Sequence, residues 1–121
     1  MLTLAANHTI TVQDNFAVIV PHPGTELTSK GLADIKDALG ALLYRSHYPI
    51  IFYPHGQYSV RFCAMKELIS LSDRLHLCIV SGSERTRLVY GFLEDLCSGV
   101  TIFKDNRETH RWLSKQLAMT G

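Results

Sequence analysis

Polar and apolar residues alternate from His8 to Gln13, with Ile10 and Val12 on one side. The chain then turns apolar and β-branched over Phe16-Ala17-Val18-Ile19-Val20. Alternation with a period of two marks a half-buried strand. Asp14-Asn15, between the two runs, tolerates the left-handed backbone of a two-residue turn. Together the runs predict an antiparallel hairpin that opens the domain. Pro21-His22-Pro23-Gly24 stops it, because proline has no amide proton to give to a sheet ladder.

After this the period lengthens to that of a helix. Leu32, Ile35, Leu39 and Leu42 recur at steps of three and four behind Thr28 and Ser29, either of which can act as the cap. Arg45 and His47 suit the negative pole of the helix dipole, and Pro49 ends the element. Ile50-Ile51-Phe52-Tyr53 is short and continuously apolar, the pattern of a central strand covered on both faces, and Pro54-His55-Gly56 stops it. A second helix is predicted from about Ser59 to Asp73, carrying Cys63, Met65, Leu68, Ile69 and Leu71. Leu75 to Val80 is another buried strand. Ser81 and Glu84 follow it with the spacing of a capping box. The third helix is expected to turn Leu88, Val89, Phe92, Leu93 and Leu96 to one side and to end at Ser98-Gly99. Val100 to Phe103 is the last strand. Asp105 and Glu108 repeat the capping-box spacing and open a C-terminal helix with Trp112, Leu113 and Leu117 inward.

The order ββαβαβαβα predicts one α/β domain over residues 1–121, with four helices on a mixed, mostly parallel sheet and an antiparallel hairpin at one end. Its βαβ units should cross over right-handed. No internal repeat, linker or low-complexity segment interrupts it.

Composition narrows the function classes. The 121 residues are 46% hydrophobic and 19% charged, an ordinary globular balance that argues against disorder. Lys and Arg number 12 against 11 Asp and Glu, giving a formal charge of +1. The basic residues are scattered apart from Arg85 with Arg87 and Arg107 with Arg111, so no concentrated phosphate-binding face is expected and no nucleic acid is among the expected partners. The three cysteines, Cys63, Cys78 and Cys97, include no C-x-x-C pair. An odd, sparse set reads as reduced thiols in a cytoplasmic protein, with Cys78 acting as a small hydrophobe inside Leu77-Cys78-Ile79-Val80. The N-terminal residues Met1 to Ala6 lack the basic and apolar regions of a signal peptide, and no window is long and apolar enough to insert in a membrane.

The element order is similar to that of the STAS domain, the fold of bacterial anti-sigma-factor antagonists, over nearly the whole chain. The residues that carry the resemblance most specifically are strand Leu77-Cys78-Ile79-Val80, the arginine-bearing stretch from Glu84 to Leu96, Val100-Thr101-Ile102-Phe103-Lys104-Asp105, and Trp112-Leu113. These resemble the SpoIIAA-like group of that fold. The resemblance implies a bacterial regulatory module that presents its second helix to a protein partner. In the antagonists a serine of a D-S-x-G motif is phosphorylated there. Here Arg61, Phe62 and Cys63 fall on the motif, and Ser59 is the nearest hydroxyl. Ser59 is therefore the candidate phosphorylation site, its ordinary role being a helix N-cap, where added negative charge is favoured.

Chemistry-bearing residues form no converging set. No two of the six histidines stand at H-x-x-x-H spacing, and none pairs with a cysteine at zinc-ligand spacing, so no metal or other cofactor is expected. His55 lies past the carboxyl end of a central strand, where open α/β sheets place ligands. A Cys63–His55 nucleophile pair would have no orienting third group. Ser81-Gly82-Ser83, with Arg85 and Arg87 near, opens a helix whose amides could hold an anion, although an ordinary capped start suffices. Tyr90, Phe92 and Trp112 read as core. No catalytic residue is assigned.

The expected function is thus non-enzymatic: a STAS-like regulatory or binding module that works by protein contact, as a homodimer or with another protein. The rim that recognises the partner is predicted from His55, Gln57, Tyr58, Ser59, Arg61, Ser81, Ser83 and Arg85. A carrier or sensor of an apolar or anionic small molecule is the alternative. STAS-type folds resemble lipid-transfer domains, and Val60, Phe62, Met65 and Ile69 make the second helix apolar around more than one face.

Overall fold

In a computed structural model the described residues are 2–40, 48–54, 58–71, 75–97 and 99–120. Expectations for Leu42, Arg45, His47, His55, Gln57, Asp73 and Ser98 fall outside them, as do the side chains of Phe62, Val89 and Leu117.

The predicted hairpin is present. Strand β2 (His8–Val12) pairs antiparallel with β3 (Ala17–Pro21), and the Gln13 N–H donates to Phe16 O at 2.8 Å across Asp14-Asn15. It does not open the domain, because β1 (Leu2–Ala5) comes first and pairs antiparallel with β2. The left-handed turn lies between these two strands. Ala6 and Asn7 have φ of 51° and 62°, whereas neither Asp14 nor Asn15 has positive φ. Asparagine adopts this conformation readily and alanine at a cost. Hydrogen bonds hold the turn against that cost: the His22 N–H donates to Asn7 O at 2.9 Å, and His8 Nδ1 lies 2.7 Å from Ala6 O.

The rest of the chain runs β4 (Glu26–Leu27), α1 (Ser29–Leu39), β5 (Tyr48–Phe52), β6 (Ser59–Val60), α2 (Phe62–Leu71), β7 (Leu75–Val80), α3 (Glu84–Leu96), β8 (Val100–Phe103) and α4 (Asn106–Thr120). One six-stranded mixed sheet has the order β1-β2-β3-β5-β7-β8, parallel from β3 onward. β4 and β6 form a separate parallel pair that the sequence pattern does not reveal.

Because spatial order follows chain order, right-handed crossovers put α1, α2 and α3 on one face of the sheet. Packing agrees. Leu32, Ile35 and Leu39 of α1 and Ala64 of α2 share one cluster with Ile10, Ile19, Ile50 and Leu75. Met65 and Ile69 of α2 share another with Tyr90 and Leu93 of α3 and with Ile79 and Val100. The excess apolar circumference of α2 thus has a cause: it is the middle helix, touching α1 material on one side and α3 material on the other. Among the described residues the opposite face carries α4 alone of the helices, its Trp112 and Leu113 packing with Ile51, Cys78, Val80 and Phe103.

Several local expectations change. Thr28 is the cap of α1, its Oγ1 accepting from the Gly31 N–H at 3.0 Å. Helix α2 starts at Phe62, so Ser59 sits in β6 opposite Glu26 and caps nothing. Ser81 does not cap α3 with Glu84; its Oγ accepts from the Ser83 N–H at 3.1 Å. Half of the second capping box forms: Asp105 Oδ1 accepts from the Glu108 N–H at 3.0 Å, whereas Glu108 Oε2 accepts, also at 3.0 Å, from the N–H of Lys104, one residue before the cap. The largest change is the rotation of α3. Tyr90, Leu93 and Cys97 face the sheet, whereas Leu88, Phe92 and Leu96 are exposed.

Candidate functional site

Strands β3, β5, β7 and β8 are parallel, so their carboxyl ends share one edge, and most predicted site residues gather along it. His8 also lies there, because it pairs with Pro21 at the end of β3. There the β4–β6 pair sits with Glu26 opposite Ser59 and Leu27 opposite Val60. Arg61 follows with an ion pair to Glu26, both side chains largely in solvent. Such an exposed pair is worth no more than about 1 kcal/mol. The added charge of a phosphate on Ser59 would meet Glu26 across the β4–β6 ladder, without the helix start that would favour it.

Further along the edge, the Ser81 N–H donates to Phe103 O at 2.9 Å, Ser83 and Arg85 are exposed, and Tyr53 Oη donates to Asn106 Oδ1 at 2.6 Å. Ser59 and Arg61 are thus tied to β4, and Ser81 and Ser83 to the β7–β8 exit. His55 and Gln57, between them in sequence, lie outside the described residues. Helices α1 to α3 stay on one face from β3 to β8, so no reversal of strand order opens a crevice of the kind that led to His55.

Tyr58 differs from the rest of the predicted rim. It is buried, with its ring edge-on to His8 and to Phe52. Its hydroxyl lies 2.8 Å from Nε2 of the fully buried His8. Ala6 O can only accept, so in the neutral imidazole Nδ1 carries the proton and Nε2 accepts from the Tyr58 O–H. The pair flanks a void of about 60 Å³ whose lining includes Leu27, Val60, Ile79, Leu93 and Tyr90. Burial pushes the Tyr58 phenol well above its ordinary range, the Tyr90 phenol adding to the effect, and burial alone raises Tyr90. Sequence reasoning missed His8, which looked like one polar step in an alternating strand.

Two surfaces are apolar and open. On α3, Leu88, Phe92 and Leu96 are 83%, 43% and 69% exposed at successive steps of four, a single stripe. On the α4 side of the sheet, register aligns Leu2 with Thr11 and Val18, and Leu4 with Thr9 and Val20. Helix α4 covers β7 and β8, leaving Leu2, Leu4 and Val20 exposed.

Cys63 is exposed near the start of α2, whereas Cys78 and Cys97 are buried, and burial pushes the Cys78 thiol up to about 12. One fast-reacting thiol is therefore expected when the native protein meets a disulfide reagent such as DTNB, and three after unfolding. Fast modification of Cys78 in native protein would contradict its placement. Among the described residues no group of three or more His, Cys, Asp or Glu side chains could hold a metal ion. No helix among them is long and apolar enough to cross a membrane. Compared with protein-family models, with curated proteins and with solved structures, the chain matches none.

Proposed function

We propose that this domain is a non-enzymatic module that acts by contact with another protein chain, a second copy of itself first, on a STAS-like plan. The observation that carries the reading is the outward stripe of α3. A helix on a sheet needs one apolar face, and α3 meets that need with Tyr90 and Leu93. Leu88 and Leu96, with the outer part of Phe92, leave apolar surface in water, the usual mark of an interaction site. The stripe is straight and helical, so a partner helix can lie along it and bury all three side chains. The STAS-like plan is supported by the element order and by the parallel β3-β5-β7-β8 run with its antiparallel N-terminal strands.

Sedimentation velocity on the wild type and on the double variant Leu88→Arg, Leu96→Arg tests this. The wild type is expected to run as a dimer at micromolar concentration and the variant as a folded monomer with an unchanged circular-dichroism spectrum. A wild type that stays monomeric at high concentration, or a variant that dimerises equally well, overturns the second-copy reading.

A further inference from the structure

Tyr90 lies on the sheet-facing side of α3 and is 5% exposed, yet its hydroxyl has no hydrogen-bond partner among the described residues. A buried hydroxyl left unmet is destabilising, a penalty that a phenylalanine at this position would avoid. The same side chain forms part of the wall of the void beside His8 and Tyr58. A second void of about 60 Å³ adjoins the first, since Ile19, Leu32, Ile35, Leu68 and Leu77 line both. Its remaining wall is aliphatic apart from the stem of Lys36. The first void lies beneath the β4–β6 pair, whose Leu27 and Val60 contribute to its lining.

We propose that these adjoining voids bind a small uncharged amphiphile, its hydroxyl or carbonyl head hydrogen-bonded to Tyr90 Oη and its short apolar tail lying between Leu32, Leu68 and Leu77. The head is neutral because the walls around Tyr90 are apolar and hold no counter-charge, so a carboxylate would be desolvated there without compensation. Size limits the tail. An apolar cavity of roughly 150 Å³ accepts benzene, and the two voids, at about 60 Å³ each, hold less, so the ligand is an alcohol or ketone smaller than benzene and not a long-chain lipid. Tyr58 donates its proton to His8, leaving the Tyr90 O–H as the group that reads the head. The site is separate from the α3 stripe, on the inward side of the same helix, and does not depend on the contact reading.

A titration with 1-butanol followed by ¹H–¹⁵N correlation spectra tests the site, with butanoate as the charged counterpart. Saturable shifts are expected for amides around Tyr90 and Leu68, with binding at least about tenfold weaker in Tyr90→Phe, equivalent to about 1.4 kcal/mol. Butanoate should bind more weakly than butanol; equal or tighter butanoate binding, unaffected by Tyr90→Phe, would place the head at Lys36 and overturn the assignment. Leu68→Phe, which fills space common to both voids, should abolish binding and keeps the test decisive if Tyr90→Phe folds poorly. No saturable shift in the wild type, or an ordered water on Tyr90 Oη that butanol fails to displace, also overturns the proposal.

Discussion

Leu93→Ala is expected to lower the unfolding free energy by about 2–5 kcal/mol, and Leu88→Ala, five residues earlier on the same helix, to change it by less than about 0.5 kcal/mol. Leu93 is 1% exposed and packs with Ile79, Cys97 and Val100, so truncation removes buried methyl groups and leaves a cavity that rigid sheet neighbours cannot close. Leu88 has water around it in both folded and unfolded states. Alanine even has the slightly better helix propensity. Urea unfolding of the two variants checks this, with the midpoint shifting for Leu93→Ala and the slope unchanged. Comparable losses at both positions would mean that α3 is rotated so that both residues face the sheet, as the sequence pattern alone suggests.

That contrast shows where the chain is legible. Alternation around Ile10 and the β-branched run from Ala17 to Val20 locate the hairpin, because a period of two on a half-buried strand has few other readings. Leu32, Ile35 and Leu39 give the buried face of α1 correctly, since that helix has a single apolar stripe. On α3 the apolar positions form two stripes, Tyr90-Leu93-Cys97 and Leu88-Phe92-Leu96. Periodicity cannot rank them; only the docking angle does. β1 was hidden because Leu2-Thr3-Leu4-Ala5 is as short as a frayed terminus and its turn uses Ala6-Asn7, without a glycine. β4 and β6, two residues each, carry no pattern at all.

The candidate sites split in the same way. Ser81, Ser83 and Arg85 are where a strand-to-helix connection should put them, and Ser59 and Arg61 lie along the same edge, because the order of elements fixes that edge. Tyr58 was expected on an accessible rim and instead turns inward to His8, fifty residues away in sequence. A pairing of that range leaves no local signature in either segment. The exposed stripe of α3 was present in the sequence as an excess of apolar residues, and only the fold shows that the excess is left over.

Stability is expected to fall as pH rises above about 9, and Cys78 is the main cause. In the unfolded chain its thiol titrates near 9.0, whereas in the fold burial between the sheet and α4 pushes it up to about 12. Below pH 9 both states are protonated and the contribution is fully present. Above it the unfolded state gives up the proton while the folded state keeps it, so the equilibrium moves toward unfolding until about pH 12. The full amplitude is about 4 kcal/mol. Tyr58 and Tyr90, raised by burial from the ordinary phenol value of 10.0, act with the same sign and begin at higher pH. Cys78→Ala separates the thiol from these phenols. At pH 7 the variant should be less stable by about 1 kcal/mol, for the atom lost from a packed site. By pH 11 it should be the more stable of the two, because it has no thiol to lose. Urea midpoints of both proteins at pH 7, 9, 10 and 11 would therefore cross, and parallel curves would mean that Cys78 is reached by water in the native state.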